Sequence, residues 1–171
     1  MKLRKEWAAE LHRIDGGRYW TLQDFESELL SEGAQLFAWS RTGASVNSDP
    51  APTAPAAVDS AATKDSLAAL NWDGFVLYRI VYEEAWVMNL AVRVKGQGWG
   101  KGLLLAFENY LVAHHAQVSE IGLEVAALNV SAWRLYESQS FALVGGRKNY
   151  YKNGDDARVY KKLLLQNRGQ S

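Results

Sequence analysis

Hydrophobic positions recur along the chain with two different periods, and these predict alternating helices and strands. Apolar residues spaced three and four apart predict helices over 3–11, 22–30, 103–116 and from 129 or 131 to about 138. Short apolar or β-rich runs predict strands over 34–40, 75–82, 85–92, 119–126, 141–144 and 157–164. This order indicates an α/β domain with a mixed sheet flanked by helices.

One segment departs from this pattern. Residues 41–71 contain the three prolines of the chain and no aromatic residue, and Ala, Ser and Thr dominate them. Such a segment buries too little apolar surface to offset the entropy lost on ordering. We therefore expect one domain over 1–171 with a flexible Ala/Ser/Pro-rich insertion at about 41–71, a surface loop rather than a functional lid.

Composition narrows the classes of function. The 171 residues include 19 Lys and Arg against 19 Asp and Glu, which gives no electrostatic argument for nucleic acid or an anionic membrane as a direct partner. There is no cysteine, so a thiol nucleophile, a disulfide framework and a thiolate metal site are excluded. No run approaches the ~20 apolar residues of a membrane span, and we expect a cytoplasmic protein.

Four glycines at alternate positions join a predicted strand to a predicted helix in VRVKGQGWGKGLLL, residues 92–105. A glycine turn before a helix N-terminus favours anions, because backbone N–H groups are free and no β-carbon keeps a phosphate away. The P-loop pattern fails, since it needs glycine at Lys95 and a hydroxyl at Gly102. The dinucleotide pattern G-x-G-x-x-G fails too, because its last position falls on Lys101 or Leu103. A nucleotide-binding protein is therefore disfavoured.

Several segments together resemble one known family. KGQGWG, residues 95–100, is similar to Q/R-x-x-G-x-G/A with lysine first, and LEVAALNVSAWRLYESQSF, residues 123–141, is similar to L-E-V-x-x-x-N-x-x-A-x-x-L-Y-E-x-x-G-F. Residues 146–157 and 20–25 are similar to R-x-x-Y-Y…D-A and W-S/T-x-x-x-F. These are motifs of the GCN5-related N-acetyltransferases (GNAT superfamily), the last two of its RimI-type ribosomal-protein alanine N-acetyltransferase branch. The resemblance covers nearly the whole chain except 41–71.

The resemblance implies a fold and an acyl donor. The GNAT fold is a mixed, mostly antiparallel sheet of six to seven strands flanked by helices, with a V-shaped splay between the central strands. The donor is acetyl-CoA as co-substrate, and no metal is implied. The family's turn binds the pyrophosphate, which assigns that role to Gly96, Gln97, Gly98, Trp99, Gly100 and Lys101. Backbone N–H groups of Leu90, Ala91 and Val92 are implied as oxyanion donors. Asn129 is implied to hold the pantetheine arm, and it also suits a helix N-cap.

Two residues are candidates for proton transfer. Glu124, between apolar Leu123 and Val125, is suited to act as a base on the acceptor amine, directly or through water. Its alternative is an ordinary strand carboxylate with a salt-bridge partner. The phenol of Tyr136, with a pKa near ~10, is suited to donate a proton to a leaving thiolate, and its alternative is a core tyrosine. The resemblance favours base and acid, and we expect both side chains to border one cleft.

The resemblance also places an acceptor-peptide groove, lined by Trp20, Arg147, Tyr150 and Tyr151, although a packed hairpin is the structural alternative for the last three. It implies transfer of acetyl to a protein N-terminus, in particular the alanine of a small-subunit ribosomal protein. Two alternatives stay open: acetylation of a small-molecule amine or lysine side chain, and a non-catalytic acyl-CoA-binding or ribosome-docking module. His114 and His115 are not a metal pair, because adjacent helical residues point about 100° apart.

Three positions depart from the family pattern. The link between Val92 and Gly98 is shorter than usual, which affects the geometry expected of the turn. Ser140 stands where the family has glycine, so a left-handed helix end would carry a β-carbon. Ala126 stands where the branch often has arginine, which weakens the assignment of the substrate more than that of the activity.

Overall fold

The structure is a computed structural model that describes residues 2–39 and 72–165. Its helices are α1 Lys2–Asp15, α2 Leu22–Leu30, α3 Trp99–His114 and α4 Val130–Ser138. Its strands are β1 Ala34–Trp39, β2 Gly74–Val81, β3 Glu84–Val92, β4 Glu120–Ala126, β5 Ala142–Arg147 and β6 Ala157–Leu163. The element order is the predicted one. The predicted insertion at 41–71 lies outside the described residues.

The six strands form one sheet in the order β1-β2-β3-β4-β6-β5, which confirms the predicted α/β class and mixed sheet. Strand β3 runs parallel to β4, whereas β6 runs antiparallel to both β4 and β5. The β3–β4 pairing extends from Glu84–Glu120 to Val87–Leu123, although β3 continues to Val92 and β4 to Ala126. The predicted splay between the central strands would begin where this pairing ends, and it stays a prediction.

The backbone contacts divide the chain into two compact units. The first comprises Met1–Tyr78 and Asn89–Phe107, and the second comprises Arg79–Met88 and Glu108–Ser171. The first unit has an aromatic core, in which the rings of Phe37 and Tyr78 lie 5.5 and 4.9 Å from that of Phe107. The second unit has a core in which side chains of β4 and β6 and of its helices are buried, among them Leu111, Ile121, Leu123, Tyr136 and Tyr160. The single-domain organisation stays a prediction.

Local sequence signals account for the start of α2. Thr21 and Asp24 form the predicted capping box, in which each side chain accepts a hydrogen bond from the backbone of the other. The helix then buries Phe25 and Leu29. The box satisfies two backbone donors that the helix itself leaves without a partner.

The start of α3 differs from the prediction. The helix begins at Trp99 rather than at residue 103, so Gly100 and Gly102 are helical and only Gly96 and Gly98 belong to the turn. A Cβ placed on Gly102 would lie 3.4 Å from the Trp39 ring. This is an ordinary van der Waals distance, so the helix packs against the ring at Gly102, although the ring does not itself require glycine there.

The described residues contain no helix long and apolar enough to cross a membrane. Within the same residues, no three His, Cys, Asp or Glu side chains are grouped as metal ligands would be.

Candidate active site

The glycine turn is exposed and open. Gly96 and Gly98 adopt the left-handed region, with φ of 79° and 76°, and a Cβ on either would meet nothing within 4 Å. Trp99 follows directly as the first residue of α3, and the first turn of that helix holds no acidic residue. The partial positive charge of the helix N-terminus favours an anion here, and the exposed Lys101 adds positive charge. This geometry fits a phosphate group.

The other predicted cofactor residues lie on β3 and at the start of α4. Leu90, Ala91 and Val92 occupy the end of β3, beyond its last residue paired with β4. Asn129 is the N-cap residue of α4, but its side chain makes no capping hydrogen bond. Its Oδ1 instead accepts a hydrogen bond of 3.2 Å from the hydroxyl of Ser131, so Asn129 serves the helix end only through its backbone position.

Glu124 on β4 is held by two partners from the second unit. Its side chain is 15% exposed and forms an ion pair of 2.5 Å with Nε of Arg147. The Tyr150 hydroxyl donates a hydrogen bond to the same carboxylate, and burial together with this bond raises the pKa of Tyr150 to about 12. The guanidinium of Arg147 also lies over the Tyr150 ring, 5.6 Å from its centroid. The salt-bridge partner considered as the alternative for Glu124 is therefore present.

Tyr136 lies on the buried side of α4. It is 6% exposed, and its ring packs against Phe141 and Tyr160 at centroid distances of 5.7 and 6.4 Å. Burial raises the pKa of Tyr136 to about 12. The phenol is thus protonated at neutral pH, but it is a weaker acid than a phenol in water. These contacts agree equally with a core tyrosine and with a proton donor.

The register of β4 with β6 places Glu124 and Tyr136 on opposite faces of the sheet. Leu123 pairs with Tyr160, and directly paired residues share a face. Tyr136 packs against Tyr160 and so lies on that face. Successive side chains of a strand alternate, so Glu124 points to the other face. A cleft confined to one face does not contain both residues, so the expectation that both border one cleft requires an opening where the two faces meet, and it stays a prediction.

The loop between β5 and β6 is packed by its own contacts, and the acceptor groove predicted at Trp20, Arg147, Tyr150 and Tyr151 stays a prediction. The backbone N–H groups of Tyr150 and Tyr151 both donate to the Asp155 carbonyl, and the two tyrosine rings meet edge to face at 5.2 Å. Trp20, in the first unit, packs against Phe25 with ring centroids 5.0 Å apart. The hairpin is thus ordered by its own contacts, and Tyr150 keeps about half of its side chain exposed.

Comparison with known proteins agrees with the motifs. Over 90 residues the chain is 38% identical to the [Ribosomal protein bS18]-alanine N-acetyltransferase of Haemophilus ducreyi. The match covers 52% of this chain and 61% of that relative. It confirms the resemblance stated from the sequence. No protein-family model matches the chain.

Solved structures extend the similarity to the fold. The Escherichia coli ribosomal-protein-S18-alanine N-acetyltransferase aligns with a TM-score of 0.65 over 96% of this chain and 90% of its own, at 23% identity. A GNAT-family putative acetyltransferase from Desulfovibrio desulfuricans aligns with a TM-score of 0.62 over 94% of each chain, at 15% identity. The chain has the GNAT fold. Arabidopsis thaliana NAA60 in complex with acetyl-CoA also aligns with the chain, with a TM-score of 0.50 over 54% of this chain and 66% of its own, at 21% identity.

Proposed function

We propose that the protein is an acetyl-CoA-dependent N-acetyltransferase that acts on the N-terminal amine of a protein, in particular the alanine of a small-subunit ribosomal protein. The observation that carries the proposal is the 38% identity to a bS18-alanine N-acetyltransferase over a segment of 90 residues. The fold and the open glycine turn are compatible with it. A ribosomal substrate implies action in the cytoplasm.

In this proposal the glycine turn holds the diphosphate of acetyl-CoA. The space around Gly96 and Gly98 admits phosphate oxygens. The helix α3 begins directly afterwards at Trp99, so its N-terminus lies next to these oxygens. Bound acetyl-CoA supplies a thioester, whose C–S bond breaks as the new N–C bond forms. Lys101, exposed in the first turn, contributes charge to the same anion.

Glu124 is the proposed base. An N-terminal ammonium has a pKa near ~8, so a useful fraction of the amine is neutral near neutral pH, and Glu124 takes the remaining proton onward directly or through water. The amine is then neutral, and its lone pair is free to form the amide bond. The low exposure of Glu124, 15%, limits competition from water for this proton transfer.

Tyr136 is the proposed proton donor to the leaving sulfur. Its phenol oxygen keeps its proton at neutral pH because burial raises the pKa to about 12. Since the residue lies on the opposite face from Glu124, both can serve one reaction only at a strand edge, where the two faces meet. The pairing of β4 with β3 ends at Leu123, one residue before Glu124, which supplies such an edge.

Mass spectrometry of a peptide that begins with Ala, incubated with the protein and acetyl-CoA, tests the proposal. We expect one added acetyl group on the α-amine. Glu124→Gln is expected to lower kcat by about 10²-fold or more, while Glu120→Gln, four positions away on the same face of β4, serves as the matched control. If acetylation is absent in the unmodified protein, or proceeds equally in both variants, the proposal is wrong.

Binding of the donor has its own matched pair of variants. Gly98→Ala strains a left-handed residue in the turn, and Gly33→Ala strains another, with φ of 80° and equally open surroundings at the end of α2. Both lose stability for the same reason. Only Gly98→Ala is expected to weaken acetyl-CoA binding in calorimetry. Equal affinity of the two variants for acetyl-CoA would exclude the turn as the phosphate site.

A further inference from the structure

The proposed base is already occupied by a cation of the protein itself. Glu124 is mostly buried, whereas its partner Arg147 is 57% exposed on the edge strand β5. The pair therefore joins a fixed carboxylate to a side chain that reaches it from the solvent side. Tyr150, also about half exposed, completes the arrangement by donating its hydroxyl to the carboxylate and placing its ring beneath the guanidinium.

This arrangement conflicts with the direct use of Glu124 as a base. An N-terminal amine arrives largely as an ammonium, since its pKa is near ~8, and it needs the same carboxylate oxygens that Arg147 contacts. Binding both cations at once would crowd two positive charges on one carboxylate. Water can solvate the well-exposed Arg147 once it is released, and the arriving ammonium compensates the mostly buried carboxylate in its place, so no buried charge is left unpaired. The acceptor can therefore take its place.

We propose that Arg147 is an exchangeable counter-ion of Glu124, which the ammonium of the acceptor displaces on binding. The proposal rests on the proposed function only in naming Glu124 as the residue that receives the acceptor amine. The exchange keeps the number of charges at the carboxylate constant, because one cation leaves as another arrives. A neutral N-terminus gains nothing at this position, so the exchange favours free amines over blocked ones.

The contacts of the carboxylate define what must move for the exchange. Arg147 and Tyr150 belong to β5 and the hairpin after it, and a movement of the Arg147 side chain alone leaves the β4–β6 pairing at Glu124–Val159 in place. Tyr150 remains able to donate its hydroxyl after Arg147 has left. The carboxylate therefore retains one hydrogen-bond donor during the exchange.

Calorimetry with two peptides tests the exchange without requiring turnover. The peptides share one sequence that begins with Ala, and one of them is acetylated at its N-terminus. Arg147→Gln removes the competing cation and is expected to tighten binding of the free-amine peptide about fivefold, with little change for the acetylated peptide. Arg134→Gln, an equal change in charge at an exposed position of α4 beside Trp133, is the control and is expected to alter neither affinity.

Added guanidinium ion provides the second readout. In the Arg147→Gln variant, millimolar guanidinium is expected to fill the position left by the side chain and to raise the apparent Kd of the free-amine peptide. In the unmodified protein the same concentration is expected to have little effect. Weaker binding of both peptides by Arg147→Gln would assign Arg147 to the peptide groove instead and overturn the proposal. If Arg147→Gln tightens binding of the free-amine peptide but the turnover assay shows no acetylation, the exchange proposal stands and the proposed function is wrong.

Discussion

Replacement of Ser140 by glycine is expected to stabilise the protein, because this residue holds a left-handed conformation at the end of α4. Its φ is 66°, and the N–H groups of Ser140 and Phe141 donate to the carbonyls of Glu137 and Tyr136. This is the Schellman pattern, and the accompanying apolar contact is the one between the rings of Tyr136 and Phe141, 5.7 Å apart. Glycine makes the same hydrogen bonds without a β-carbon.

The magnitude follows from two opposing terms. A left-handed residue with a β-carbon destabilises the folded state by roughly 1–2 kcal/mol. Glycine avoids this cost but lowers stability by about 0.5–1 kcal/mol, because its unfolded chain has greater entropy. The net gain for Ser140→Gly is therefore about 0–1.5 kcal/mol with a midpoint near ~0.75 kcal/mol, and the midpoint corresponds to a rise in Tm of roughly 1.5–3 °C for a chain of this length. Thermal unfolding followed by circular dichroism measures it.

Ser140→Ala is the matched control, since it removes the hydroxyl and keeps the β-carbon. Its Tm is expected to stay close to that of the unmodified protein. If Ser140→Gly unfolds at a lower temperature than Ser140→Ala, the left-handed strain is not a cost, and the reasoning is refuted.

Three further variants test other parts of the structure. Gly122→Ala is expected to lower the free energy of unfolding in urea by about 1–3 kcal/mol, because its Cβ would lie 3.0 Å from the Trp86 ring; an unchanged midpoint would show that the ring moves freely. Tyr160→Phe removes a hydrogen bond of 2.7 Å to Glu137 and is expected to cost about 1 kcal/mol in the same assay; no loss would mean that water replaces the bond. Burial raises the pKa of Asp15, so the folded state binds the carboxyl proton more tightly than the unfolded state does. The free energy of unfolding therefore falls as pH rises through that pKa. The stability of Asp15→Asn relative to the unmodified protein should therefore increase from acid to neutral pH in urea titrations, and a difference independent of pH would contradict this.

Signals within a few residues of one another predicted the local structure well. The capping box of Thr21 and Asp24 needs only side chains three positions apart, and the helix it starts has the predicted bounds, Leu22–Leu30. The left-handed conformation expected at Ser140 is also present. Both features depend on backbone groups that are close in sequence, so no knowledge of the tertiary fold was needed.

The start of α3 shows why the remaining predictions differed. Four alternating glycines indicate a turn by propensity, but Gly102 lies in the helix against Trp39, a residue of β1 far away in the sequence. Packing between distant elements is invisible to a propensity argument. Gly100 and Gly102, which were predicted to belong to the turn, are therefore part of the helix.

The candidate site was predicted as a set of residues rather than as a set of contacts. Glu124 and Arg147 lie in separate motifs, on β4 and β5. In the sheet these two strands are separated by β6, which comes last in the sequence. Their ion pair follows from the order of the strands, which the motifs do not encode. The separation of Glu124 and Tyr136 onto two faces depends likewise on the register of β4 with β6.

The initial rate of acetyl transfer to an Ala-starting peptide, measured by mass spectrometry for the unmodified protein and for Glu124→Gln, tests the central claim most directly. The account predicts acetylation of the α-amine by the unmodified protein and a loss of about 10²-fold or more in the variant, with acetyl-CoA affinity unchanged. Equal rates for the two proteins would contradict the assignment of Glu124 as the base. No acetylation by either would contradict the proposed activity itself.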